Sequence, residues 1–115
     1  MCEVVKDLSN TDIKQIAEYF AEQKFVRSAQ KFEPALAMQG KDIHKRSCEM
    51  CHAEGGSVAG NDAGIVAGQK MAYLEEQFKV IREGKRPVPK IMKPELDQLD
   101  KARIDALINY YGSFQ

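Results

Sequence analysis

The apolar residues of this chain recur at helical intervals and nowhere alternate over the length of a strand. Ile13, Ile16, Ala17 and Phe20 follow the start signal Asn10-Thr11-Asp12 and predict an amphipathic helix over 10–25. The polar run 27–34 reads as a linker closed by Glu33-Pro34, with Pro34 opening a second helix over 35–47 that carries Leu36, Gly40 and Ile43 on one side. A small-residue stretch from Gly55 to Gly64 is a loop. Tyr73, Leu74, Gln77, Phe78 and Ile81 predict a helix from about Gln69 to Glu83, ended by Gly84. Arg86 to Pro94 holds three prolines and cannot be helical throughout. Asp100 caps a last helix over 100–112, with Ile104, Leu107, Ile108 and Tyr111 periodic and Gly112 at its end. The expectation is an all-α chain.

Between the second helix and the glycine loop stands Cys48-Glu49-Met50-Cys51-His52. Cys-x-x-Cys-His is the pattern of covalent c-type haem attachment. Two thiols three positions apart on a helical turn reach two vinyl groups on one edge of a porphyrin, and the next side chain, His52, points beneath the iron. Two rivals compete. A structural zinc site takes four ligands in most cases, while the motif offers three, and His44 is the only other His. A thioredoxin-like pair needs a neighbouring βαβ pattern, and no strand run is present.

The 115 residues suffice for about one small domain. Seventeen basic and seventeen acidic residues balance, with no basic excess and no Trp to suggest nucleic-acid binding. No apolar run is long enough to span a bilayer. The start lacks a signal-peptide core, and thioether attachment takes place outside the bacterial cytoplasm. The chain therefore reads as mature, exported and periplasmic. Cys2 has no partner once Cys48 and Cys51 hold haem, and reads as a free thiol.

Taken together, 34–115 runs helix, haem motif, glycine loop, helix, proline loop, helix, and resembles a class I cytochrome c. The resemblance implies that the first and last helices cross, with Gly40 at the crossing and Tyr110 or Tyr111 as the aromatic side. It implies a Met ligand in the loop before the last helix, where Met92 stands. Met50 lies inside the attachment motif, Met71 sits on a helix at core spacing, Met38 is further off, and His44 reads as surface. Family members often place a Pro after the motif whose carbonyl orients the proximal His. The matching stretch 64–69 has none, so a backbone carbonyl there is expected instead. Arg82 and Arg86 are candidates to pair with the haem propionates. Lys70, Lys85, Lys90 and Lys93, with Arg86, are candidates for a basic collar facing an acidic partner.

The last third of the chain echoes the first. Setting residue n against n + 91 pairs Met1 with Met92, Leu8 with Leu99, Ile13 with Ile104, Ile16 with Leu107, Tyr19 with Tyr110 and Phe20 with Tyr111. Residues 1–33 read as the tail of a preceding cytochrome domain, with Met1 as a ligand of its haem, or alternatively as an initiator Met and an N-terminal extension helix; 34–115 read as a haem domain. The repeat is similar to that of dihaem class I cytochromes. Within them, Gly84 to Lys93, Leu99 and Ala106 to Tyr111 most resemble the cytochrome subunit of flavocytochrome c sulfide dehydrogenase. What this implies is electron transfer through haem c with His52 and Met92 on the iron, no catalysis by the chain itself, and a flavoprotein or other redox partner, as in a heterodimer. A free-standing carrier, or a haem sensor with an open sixth site, are the alternatives.

Overall fold

The computed structural model describes residues 2–60 and 63–115, and not the side chain of Cys2. The roles expected of Met1 and Cys2, and the Asn61-Asp62 part of the glycine loop, lie outside the described residues.

Helices account for all regular structure among the described residues: α1 (Cys2–Val5), α2 (Asn10–Glu22), α3 (Pro34–Ser47), α4 (Ala53–Gly56), α5 (Met71–Arg82), α6 (Lys93–Asp97) and α7 (Lys101–Gly112). Their ends follow local chemistry. Ser9 caps α2 in a reciprocal box with Asp12, one position before the predicted start signal. Pro34 opens α3, and Asp100 caps α7 by accepting from Arg103 N at 2.8 Å. The proline loop departs from expectation at its end. Pro94 falls in the first turn of α6, where its missing N–H costs nothing, so the segment turns helical there.

The core is built around α7, whose Ile104, Leu107, Ile108, Tyr110 and Tyr111 are buried with Leu74 of α5 and Leu99. α3 crosses α7 at the expected glycine. A methyl on Gly40 would lie 2.7 Å from Tyr110 Cβ and closer still to the Ala106 carbonyl. Tyr110, rather than Tyr111, is thus the aromatic at the crossing. The buried face of α3 is Ala37, Gly40 and His44. This corrects the reading of His44 as surface: it is 1% exposed. It lies one helical turn after Gly40, on the face that the close crossing covers.

α2 stands apart from this core. None of its residues is buried, and Ile13, Ile16, Tyr19 and Phe20 are 44–68% exposed. An amphipathic helix ordinarily covers its apolar stripe.

Candidate functional site

The attachment motif begins where α3 ends. Cys48 is the C-cap of α3, its N–H bonded to His44 O at 2.8 Å. Cys51 N and His52 N both donate to Cys48 O, at 3.1 and 2.8 Å. These bonds wind the motif into a turn that brings both cysteines and His52 together. Cys48 and Cys51 are free thiols, and both, like His52, are half-buried. After His52 the chain reverses through left-handed backbone at Glu54 (φ +53), Gly55 (φ +70) and Gly56 (φ +81). Glycine is required at 55 twice over, since a Cβ would also lie 2.5 Å from the Tyr110 hydroxyl. The loop glycines were expected to let the backbone approach a flat ring. At Gly55 and Gly56 the close neighbours are instead the protein's own Tyr110, Phe114 and Val66, while Gly60 and Gly64 have open space beside them.

The segment after the loop folds back onto this turn. Val66 N and Ala67 N donate to Gly56 O at 2.9 and 3.0 Å, and Gly68 N donates to Tyr111 O at 2.8 Å. No carbonyl of 64–69 is bonded to His52, whose Nδ1 is buried without a hydrogen-bond partner among the described residues. A buried imidazole nitrogen left this way is costly in a bare protein. Here it belongs to a ring one residue from a free thiol, with a second thiol four residues before it. That donor set fits a covalently bound haem: Cys48 and Cys51 would hold it and His52 would ligate its iron. It does not fit zinc, because among the described residues no group of three or more His, Cys, Asp or Glu converges as a metal site.

Behind the turn lies a polar cluster that the pattern analysis missed. His44 Nδ1 is 3.0 Å from the Tyr111 hydroxyl. The Glu49 carboxylate is 2.7 Å from His44 Nε2, off the line of the N–H, and its other oxygen accepts from Gly55 N at 3.4 Å. Burial pushes the His44 pKa down, with the Glu49 charge opposing. Burial raises that of Tyr111 well above the phenol range. Both groups are therefore neutral. The buried Nδ1 of His44 is satisfied by its hydrogen bond with the Tyr111 hydroxyl. Tyr111→Phe would leave Nδ1 buried and unpaired, and should cost about 1–3 kcal/mol in denaturant unfolding. A loss below about 0.5 kcal/mol would mean that the bond contributes nothing net. The signal available from sequence was the spacing alone, with His44 one turn beyond Gly40.

Met92 is half-buried at the head of α6, its N–H bonded to Pro89 O at 2.9 Å and its carbonyl to Leu96 N at 3.2 Å. Leu96 and Leu99 anchor this stretch in the core. Met71 is committed elsewhere: it packs on the core, with its sulfur 2.6 Å from where a Cβ of Gly112 would lie. Met38 and Met50 are 72% and 78% exposed. The basic residues are exposed and partly neutralised by neighbours: Lys85 pairs with Glu83 at 2.7 Å and Lys93 with Asp97 at 2.8 Å, while Arg86 bonds Gln77. Surface pairs of this kind contribute little to stability. A groove of about 620 Å³ is lined by residues such as Arg27, Met38, Lys41 and Phe114, and by none of the motif. No helix of the described residues is long and apolar enough to cross a membrane.

Comparison with known proteins agrees with this geometry. Residues 35–110 match the family model described as cytochrome C oxidase, cbb3-type, subunit III. The chain is 35% identical to cytochrome c4 of Stutzerimonas stutzeri over 124 aligned residues, which cover 96% of this chain and 57% of that one. The chain thus spans little more than half the length of that relative. Among solved structures, reduced recombinant cytochrome c4 from Pseudomonas stutzeri superposes with a TM-score of 0.77 at 29% identity, covering 97% of this chain and 64% of that one. Cytochrome c4 of Acidithiobacillus ferrooxidans gives 0.78 at 26%, covering 98% and 70%. The all-helical fold, the Cys48-to-His52 turn and these matches together place the chain in the class I cytochrome c family, whose members bind haem c covalently.

Proposed function

We propose that the chain carries single electrons through an iron ligated by His52 and Met92, in a haem tied to Cys48 and Cys51. The observation that carries this reading is the turn itself: two free thiols beside the half-buried His52 imidazole. Bound there, the haem supplies a one-electron couple. The protein's part is to hold and shield. The bonds from His52 N and Cys51 N to Cys48 O fix the turn, and the Gly56-to-Ala67 contacts close the loop over it. The Pro89 and Leu96 bonds steady the Met92 backbone. No side chain is asked to move a proton, so the chain is a carrier and not a catalyst.

Met92→Ala tests the ligand. A thioether raises the potential of haem iron. Its loss should lower the midpoint by on the order of 0.1 V, within the roughly 0.8 V that axial ligation spans. The weak long-wavelength band of thioether–iron bonding should vanish, and carbon monoxide should bind the reduced protein. An unchanged spectrum in that variant would move the assignment to another residue. Carbon monoxide binding by the parent would favour the sensor reading instead.

Residues 1–33 are, on this reading, the tail of a preceding haem domain. The support is positional. The cap residues Ser9 and Asp100 stand at the same offset that pairs Ile13 with Ile104 and Phe20 with Tyr111. In α7 the corresponding stripe is buried by α3 and α5, while in α2 it lies open. A periplasmic location follows from where thioethers are made. The donor is a redox protein. The flavoprotein of a sulfide dehydrogenase is the specific form suggested by the segments 84–93 and 106–111, and co-purification of a tightly held flavin would support it. A haem count on the native protein separates a two-haem carrier from a single-haem chain with an extension.

A further inference from the structure

Residues 27–33 read as a spacer, yet the structure ties them to the haem domain along their whole length. Ser28 N donates to Gly68 O at 2.9 Å. Both ends of the Gln30 amide are engaged: Nε2 donates to Gln69 O at 2.7 Å, and Oε1 accepts from Met71 N at 2.9 Å. The Gln115 side-chain amide donates to Gln30 O. Glu33 N donates at 2.8 Å to Oδ1 of buried Asn109, whose Nδ2 is held on Asp105 O at 2.8 Å. The Arg27 guanidinium lies 5.7 Å from the centre of the Phe114 ring, and its stem fills the space beside Gly68 where a Cβ would fall 2.6 Å from Arg27 Cγ.

One of these bonds has a structural role beyond tethering. The first amides of a helix need acceptors from outside it. α5 has no side-chain cap of its own, since Lys70 at its cap position makes none. Gln30 supplies an acceptor to the first amide of α5 from the linker. The linker therefore belongs to the folded domain, and an unbonded tether would instead sample many orientations. Between the cap of α2 at Gln23 and the first anchor at Arg27 lie only Lys24, Phe25 and Val26.

We infer that residues 27–33 are a strap, latched by Gln30, that holds the unit carrying α2 at one orientation to the haem domain. An electron passing between the two then crosses a constant gap. Were a haem held in that unit, its iron would give up the electron and an iron held by His52 would gain it, with no proton moved and no bond broken. That electron role rests on the proposed preceding haem domain, whereas the mechanical role does not.

The test uses the full holoprotein in a Cys2→Ser background, with gadolinium spin labels at Glu18→Cys and Ala102→Cys. Both sites are exposed. Pulsed dipolar spectroscopy should give one narrow distance. Gln30→Ala should broaden it about twofold and Gln30→Ala with Asn109→Ala further, as expected of a released tether. Gln30→Glu, which keeps the acceptor for Met71 N, should fall between. The haem spectrum and helix content, unchanged, show that the variants fold. A broad distance in the parent, or one that neither variant alters, overturns the strap. Haem count by mass on the same sample decides the other question: a narrow distance with one haem keeps the strap and removes the electron role. With two haems, equilibration between the irons after flash reduction should slow severalfold in Gln30→Ala. An unchanged rate would overturn the electron role alone.

Discussion

Replacing Cys48 and Cys51 together by Ala should give a protein whose band on a denaturing gel no longer stains for haem peroxidase activity, while the parent band stains strongly. Two kinds of hold differ in how they survive unfolding. His52 and Met92 would grip the iron only while the fold keeps them in place, and both are lost on unfolding. The thioethers alone survive denaturant. Either single variant keeps one of them, so its stain should weaken without disappearing. The double variant should lose essentially all of it. The thiols are available for this chemistry because they are free and not bridged to each other. Expressed as residues 1–115, the double variant could retain stain only through Cys2, whereas a longer protein with a preceding haem domain would keep that domain's stain. A colourless parent band would remove the haem reading altogether.

Gly40→Val should be the most damaging single change away from the motif. Even Gly40→Ala places a methyl 2.7 Å from Tyr110 Cβ and closer to the Ala106 carbonyl. Those neighbours are the backbone and stem of the buried helix α7, which cannot step aside as a surface side chain would. Helix propensity pulls the other way by about 1 kcal/mol, since alanine is the better helix former. Overpacking of a tight core costs about 1–3 kcal/mol and sometimes more. Gly40→Ala should therefore lose about 1–2 kcal/mol net, and Gly40→Val about 3 kcal/mol or more. Gly64→Ala is the control: nothing lies within 4 Å of a Cβ there. Its effect should stay within about 0.5 kcal/mol. Denaturant midpoints of the holoproteins measure all three. A neutral Gly40→Ala would mean that the two helices can separate without penalty.

The helices were legible because their signals are local. Apolar spacing, Pro34, Asp100 and the terminal glycines each act within a turn or two of where they stand. The attachment motif was legible for the same reason, its two thiols and imidazole lying within one short stretch. His44 was not. Its burial is decided by α7, whose Tyr111 hydroxyl lies 67 residues further on. A lone His on a helix gives no hint of a partner at that distance. Gln30 escaped for a related reason, since a polar side chain in a polar run looks like solvent-facing surface until its two partners at Gln69 and Met71 are seen. The proline loop lay between these cases. Its prolines excluded a continuous helix, but nothing local marked the short turn of α6 that anchors Met92 to the core.

The cap that α5 borrows from Gln30 decides where the chain can be shortened. A fragment beginning at Pro34, where the pattern of residues invites the cut, would strip Met71 N of its acceptor and leave the oxygen of buried Asn109 without Glu33 N. It would also take the Arg27 stem off Gly68. A fragment beginning at Arg27 keeps all three, and is the shorter form in which to express the domain that carries the Cys48-to-His52 turn.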